Sequence, residues 1–344
     1  MKRTKVALAA TAFLAGVSLI ASGATATADP APQANDIVGV GSDTIQIVMN
    51  NIADGTKGAL LPINGYNANS GGSRLITFDA TSGTGTVVPG DQITLRRGAA
   101  PVNRPQGSTA GKSFLAGAGN NTNVNFARSS DANSAADTSN NLWMMPFATD
   151  GLKMAVANTT NAPASLTDQD VVDIYEGHIT TWNQIPGNAA GSTAAILPLY
   201  PQVGSGTEKY FVAQMKLIDP NFAYGGAATN QVGGVPVEEH SPVFIKDNPN
   251  AIAPFSTARG TTTAKDVVTL LGGFSRTRAV YNVVRQADLS QPWFTKIFGP
   301  SGYICSPTAK AAINAAGFPQ LKSQAAGGVC GVPTQVAPTN LATS

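Results

Sequence analysis

Ile37-Val38-Gly39-Val40-Gly41-Ser42-Asp43-Thr44-Ile45-Gln46-Ile47-Val48-Met49-Asn50-Asn51-Ile52 changes its periodicity halfway along. Ile37–Val40 is a short apolar run of the kind that forms a buried strand. Ile45, Ile47, Val48 and Ile52 then fall at near-helical spacing. Between them lie a glycine and three small polar residues, with Asp43 where a helix N-cap belongs. The stretch reads as strand, tight turn, helix.

The same unit recurs outward along the chain. Strands are expected at 75–78, 93–95, 124–127, 151–157, 196–199, 251–255 and 279–284, and Trp143–Pro146 precedes the fourth of these. Helices are expected from Lys112 to Ala116, through Tyr210, Phe211 and Met215, and over 308–316. Leu166–Tyr175 is the clearest amphipathic helix, with Thr167 as N-cap, Asp170 three residues on, and Gly177 closing it. Residues 55–90, rich in Gly, Asn, Ser and Thr, read as long surface loops around one or two strands. Alternating strands and helices indicate an α/β architecture.

Three turns share a chemistry. Ser42–Thr44, Ser108–Thr109 and Ser205–Thr207 each set small hydroxyl residues beside glycine at the start of a helix. A helix N-terminus carries unpaired N–H groups and partial positive charge, glycine admits close approach, and Ser or Thr adds a hydroxyl donor. Each turn alone is equally an ordinary cap. Several in one chain point to convergence on one anion. Other motifs fail: Gln106 stands where a Walker A loop needs its first glycine, Gly39-Val40-Gly41 lacks the third glycine of a dinucleotide fingerprint, and Val203-Gly204-Ser205-Gly206-Thr207 lacks the first glycine of a nucleophile elbow. Of the two histidines, His178 belongs at the end of the helix holding Tyr175. His240, following Glu238 and Glu239 in a loop, reads as solvated. No metal-ligand spacing is present, and no cofactor is implied.

The ends and the composition bound the compartment. Lys2, Arg3 and Lys5, an apolar run from Val6 to about Ile20, and Ala26-Thr27-Ala28 form a signal peptide over residues 1–28. No cysteine near the cleavage point offers a lipid attachment site. The expected product is soluble and secreted or periplasmic, without a lipid anchor. Losing the three cations takes the formal net charge from +2 to −1, which argues against a nucleic-acid partner. Cys305 and Cys330, the only cysteines of the 344 residues, read as one disulfide in an exported chain, two free thiols being the alternative.

The order of these motifs resembles the phosphate-binding protein of the phosphate-specific ABC transporter, across roughly Ile37 to Phe298. The resemblance is strongest in Asp173-Ile174-Tyr175-Glu176-Gly177-His178-Ile179-Thr180-Thr181-Trp182-Asn183, with Gly204-Ser205-Gly206-Thr207, Gly41-Ser42-Asp43-Thr44 and Asn248-Pro249-Asn250-Ala251-Ile252 in support. It implies a two-lobed type II periplasmic-binding fold with hinge strands between the lobes: lobe one 36–142 and 252–344, lobe two 143–251. It also implies an oxyanion, phosphate first, held by Thr44, Ile45, Ser108, Ser205, Gly206 and Thr207, and an ABC permease as partner to a monomer. Ser42 and Thr109, beside these positions, are further candidate ligands.

Two departures stand out. The arginine that the family places before the Gly-Ser-Gly-Thr loop is replaced by Tyr200 or Pro201. Arg104 and Arg128, near the first-lobe turns, are candidates to restore that charge, the alternative for each being a surface arginine. The family's acidic proton acceptor matches Asp131 by its Ser-Asp-Ala context and Ser130 by ungapped counting. Two other functions fit the same export signal: a secreted interaction protein that keeps the fold without transport, and an exported phosphatase, for which neither metal cluster nor activated nucleophile is visible.

Overall fold

The computed structural model describes residues 29–56, 62–82, 88 and 90–344. The expected signal peptide lies outside them. One eight-stranded sheet organises the chain. Its strands are β1 (Ile37–Gly41), β2 (Leu75–Thr77), β3 (Phe126–Ser129), β4 (Leu142–Ala157), β5 (Leu197–Pro198), β6 (Ala251–Ser256), β7 (Val268–Leu270) and β8 (Arg276–Arg285). The spatial order is β2-β1-β3-β8-β4-β6-β5, with β7 paired to β4. The helices that matter to the site are α1 (Gln46–Asp54), α2 (Gly107–Ser113), α3 (Asp168–Glu176), α4 (Gly206–Ile218) and α5 (Pro307–Ala315).

β1 pairs in parallel with β2 and β3, while β8 runs antiparallel to both β3 and β4. β4 and β8 therefore stitch the two halves of the sheet together. Sequence periodicity split β4 in two, because Pro146 and Gly151 interrupt it. The strand is nevertheless continuous. Opposite Val280 and Tyr281 the register passes from Ala148 to Pro146, so Phe147 is an extra residue in the ladder. A bulge is where a strand tolerates a residue without an N–H donor.

Each half buries its own core on both faces of the sheet. In the first half, Ile45, Val48, Met49 and Ile52 of the α1 segment pack with Ala309 and Ile313 of α5; on the other face Val38, Val40, Phe78 and Val283 cluster. In the second half, Val171 and Tyr175 of α3 meet Trp182 and Phe211. The sequence reading returned the chain to the first lobe at 252. In the packing, Ile252, Leu271 and Phe274 share a cluster with Leu152 and Val171, and Phe255 and Val268 share another with Leu199.

The segment Asp173–Asn183 is structural. Tyr175 is buried and its hydroxyl donates to Leu199 O at 2.7 Å, while Trp182 Nε1 donates to Asn250 Oδ1 at 3.1 Å. Cys305 and Cys330 are joined in a disulfide across 25 residues of sequence, fastening α5 and the C-terminal segment. No helix among the described residues is long and apolar enough to cross a membrane.

Candidate functional site

The site forms where turns from both halves meet at the sheet. The first is Gly41–Thr44, after β1. Gly41 takes a left-handed φ of 115°, and a Cβ there would stand 2.7 Å from Arg128 O, so only glycine fits. Arg128 fastens this turn. Its Nε donates to Ser42 O and its Nη2 to Gly41 O, each at 3.0 Å, and its Nη1 donates to Thr77 Oγ1. Burial pushes its guanidinium down to about 10, which still leaves it charged at neutral pH.

Asp43 does not cap α1. Ile45 holds the N-cap position with no side-chain bond, its side chain lying in the core. The Asp43 carboxylate instead accepts from Arg259 Nη1 at 3.2 Å. Burial outweighs that ion pair, and Glu239 nearby adds to it, so the Asp43 carboxyl is pushed up to about 6.

The second turn begins α2, which starts at Gly107, earlier than periodicity suggested, with Gly107 at φ 78°. Ser108 Oγ accepts from Ser130 N at 3.0 Å. Thr109 reaches across to the other half, its N–H donating to Gly204 O at 3.2 Å and its Oγ1 accepting from Lys209 Nζ. The third turn begins α4. Ser205 is its N-cap, with Oγ accepting from Thr207 N and Glu208 N at 3.1 Å each. Against Gly206 press Ser108, Ser130 and Asp131: a Cβ on Gly206 would come 2.4 Å from Ser108 Oγ, 2.5 Å from Ser130 Oγ and 2.9 Å from Asp131 Oδ1. Asp131 is further tied by Ser129 Oγ, donating to Oδ1 at 2.9 Å, and by Lys112 Nζ, 3.4 Å from Oδ2.

At the centre of these turns lies the Glu239 carboxylate, fully buried. Oε1 accepts from Ser42 Oγ at 3.0 Å, Thr44 Oγ1 at 3.2 Å and Thr44 N at 3.4 Å. Oε2 accepts from Ser205 Oγ and, at 3.3 Å, from Thr207 N. His240 is buried beside it, not solvated as its loop context suggested. Its Nδ1 accepts from Ser256 N at 2.9 Å, which places the proton on Nε2. That nitrogen is 2.9 Å from both Thr44 Oγ1 and Thr207 Oγ1. Burial, with Arg278 and Arg259 nearby, drives the imidazole well below its ordinary pKa, so it is a neutral donor. Glu238 is buried too, and burial, Asp43 and Glu239 hold its carboxyl well above the carboxylate range.

The cation of the site comes from β8. Arg278 is buried and donates through Nη2 to Thr207 Oγ1 and Asp150 Oδ2, while its Nε and Nη1 find no hydrogen-bond acceptor among the described residues. Asp150 also accepts from Ser256 Oγ at 2.6 Å, and burial raises its carboxyl above the usual range despite Arg278. The two arginines proposed from sequence are committed elsewhere. Arg128 holds turn carbonyls, and Arg104 is bound by Asp29, Asp91 and Asp79 O. Sequence reasoning placed His240 and its neighbour Glu239 in a solvated loop and passed over Arg278, whereas all three are buried. The left-handed φ of 60° at His240, unusual for a residue with a side chain, is visible only in the fold.

Two α/β halves on one sheet, with polar turns from both meeting at its centre, define a periplasmic-binding type of architecture. Residues 82–331 match the family described as the PBP superfamily domain, and the chain belongs to that superfamily. A comparison with curated protein sequences gave no match. Among solved structures, the chain is similar to a putative phosphate ABC transporter substrate-binding protein with bound phosphate from Clostridium perfringens, with TM-score 0.57, 16% identity, and coverage of 84% of this chain and 100% of that one. It is also similar to an ABC-type phosphate transport receptor from Vibrio cholerae, with TM-score 0.50, 18% identity, and coverage of 82% and 98%. At these identities the likeness is one of fold, the type II periplasmic-binding fold.

Proposed function

We propose that this chain is an exported solute-binding protein that captures an inorganic oxyanion, phosphate first, and hands it to an ABC permease. One observation carries the proposal. Hydroxyl and N–H donors of Ser42, Thr44, Ser205 and Thr207, from both halves, converge on the oxygens of a single carboxylate. A cradle of neutral donors around two oxygens is one that suits an oxyanion. Thr44, Ile45, Ser108, Ser205, Gly206 and Thr207 are the proposed ligand set, with Ser42, Thr109 and Ser130 beside them. Arg278 supplies the positive charge that the sequence lacks before the Gly-Ser-Gly-Thr loop. Asp131, against Gly206, is the proposed acceptor for the proton that hydrogen phosphate retains and sulfate does not.

The bound phosphate of the Clostridium perfringens protein and the transport receptor from Vibrio cholerae support the ligand and the partner by analogy of fold. Removal of the signal peptide would leave a soluble monomer in the periplasm or the medium. Calorimetric titration of the mature chain with phosphate, sulfate and acetate tests this reading. Saturable phosphate binding in preference to sulfate is expected, and no heat from any of the three would overturn it.

A second reading, a secreted interaction protein that retains the fold, is raised by the same Glu239 carboxylate, because it already takes up the donors of Ser42, Thr44, Ser205 and Thr207. Failure of phosphate binding in both the wild type and a variant lacking this carboxylate would select it.

A further inference from the structure

We propose that Glu239 is a tethered internal ligand: its carboxylate fills the oxyanion cradle, bridges the two halves of the protein and holds the cleft shut until an incoming anion displaces it. The inference rests on reading the cradle as the anion site, and its test separates the two.

Three observations carry it. First, the two oxygens divide their donors by half of the molecule. Oε1 takes Ser42 and Thr44 from the turn after β1, and Oε2 takes Ser205 and Thr207 from the start of α4. A free oxyanion spanning the cleft would have to make the same division. Second, Glu239 is a buried carboxylate held by neutral donors, and none of the ion pairs among the described residues involves it. A carboxylate retained for packing or stability is ordinarily paired with a cation when it is buried. The direct partners of Glu239 are all neutral donors, and the nearest arginine on the cradle, Arg278, stands behind the Thr207 hydroxyl instead of on the carboxylate.

Third, the backbone presents it. Glu239 N–H donates to Gln202 Oε1 at 3.1 Å, Gln202 N–H donates to Val237 O at 2.8 Å, and His240 is pinned through Nδ1 to Ser256 N with its φ at 60°. A left-handed conformation at a residue with a side chain persists where its surroundings hold it. Here it turns the chain directly after Glu239.

Displacement makes capture competitive. The apparent affinity for an external anion is lowered by the fraction of molecules in which the cradle is free. The device would also make the closed form the resting form, so closure alone would not report a bound anion to a partner.

The test combines small-angle X-ray scattering with calorimetry on the mature wild type, Glu239→Ala and Glu239→Gln, with inorganic phosphate as probe. The wild type is expected to keep one radius of gyration with and without phosphate. Glu239→Ala is expected to expand without phosphate and contract when it is added. Both variants are expected to bind phosphate roughly tenfold or more tighter than wild type. A wild type that contracts on adding phosphate, an Ala variant that stays compact without it, or weaker phosphate binding by the Gln variant would each overturn the proposal. An Ala variant that expands but binds no phosphate would leave the internal ligand standing and remove phosphate as the solute. If the Ala variant does not fold, the phosphate affinity of the Gln variant relative to wild type decides the matter.

Discussion

Arg278 donates from Nη2 to the Thr207 hydroxyl at 2.9 Å and, with the same nitrogen, reaches Asp150 Oδ2 at 3.1 Å. A ligand-side hydroxyl and a buried carboxylate thus share one cation. Removing the cation strands Asp150. Arg278→Met is expected to lower unfolding stability by roughly 3–5 kcal/mol, the usual effect of breaking a buried pair from one side. Asp150→Asn in the same background should recover part of that loss. Urea melts of the two single variants and the double give the coupling, and additive losses would show that the pair is not energetically linked.

Loss of the Ser205 and Thr207 hydroxyls should weaken oxyanion binding. Each removed bond to a charged ligand is worth roughly 1.5–3 kcal/mol. Ser205 also caps α4, so the double alanine variant should lose about 1 kcal/mol of stability besides. Titration and thermal melts on the same sample separate the two effects. Unchanged affinity in a folded double variant would place the anion elsewhere.

The proposed ligand set gives Asp131 the sorting of phosphate from sulfate. Its Oδ1 lies against Gly206 and already accepts from Ser129 Oγ. A carboxylate welcomes the proton of hydrogen phosphate and repels an anion that has none, whereas an amide can donate to either. Asp131→Asn should therefore narrow the gap between phosphate and sulfate, measured as the ratio of the two dissociation constants. A strong phosphate preference surviving the substitution would assign the sorting to another group.

Asp43 predicts a pH dependence of stability. Its carboxyl is pushed from 3.8 up to about 6 in the folded protein, so the native state holds a proton that the unfolded chain gives up. The stabilising contribution is fully present below the unfolded value and is lost as pH rises through about 6. It amounts to roughly 3 kcal/mol. Asp43→Asn keeps the shape and cannot titrate. Wild type should thus lose stability relative to the variant between pH 4 and 6.5 in chemical melts, and parallel curves would show that Asp43 is not the group responsible.

The Cys305–Cys330 disulfide closes 25 residues of chain. A loop of that size is worth about 3–4 kcal/mol when the stabilisation is counted as entropy removed from the unfolded chain. Replacing both cysteines by serine should cost that amount in denaturant melts. Thiol labelling of the native, unreduced protein should find no free cysteine.

Where the chain obeys local rules, the sequence was legible. Thr167 and Asp170 form the reciprocal cap of α3 and Gly177 ends it with φ 84°, because those bonds are made within a few residues of one another. The turn at Ser205 was legible for the same reason. Glu239, His240 and Arg278 were not. Their burial depends on strands that come together only in the sheet: β8 must lie beside β4 to bring Arg278 to Asp150, and the loop before β6 must fold over the start of α4 to bring Glu239 to Ser205. Neither proximity leaves a period or a spacing in the sequence. Asp43 misled for the opposite reason. It occupies a capping position by spacing, but Arg259, 216 residues away, claims its carboxylate.

Gly206 acts as a gauge. Ser108 and Ser130 close in on the place where a Cβ of residue 206 would stand and leave no space for that carbon, so the gap between the first half and the start of α4 is set to the width of a bare backbone. Any side chain there would have to break the bond from Ser130 N to Ser108 Oγ or wedge the turns apart by roughly 1 Å. Ser42 and Thr44 stand on one jaw, and Ser205 and Thr207 on the other. A wedge at Gly206 would therefore lengthen every bond that spans the jaws together, leaving each turn intact while blunting the grip of the whole.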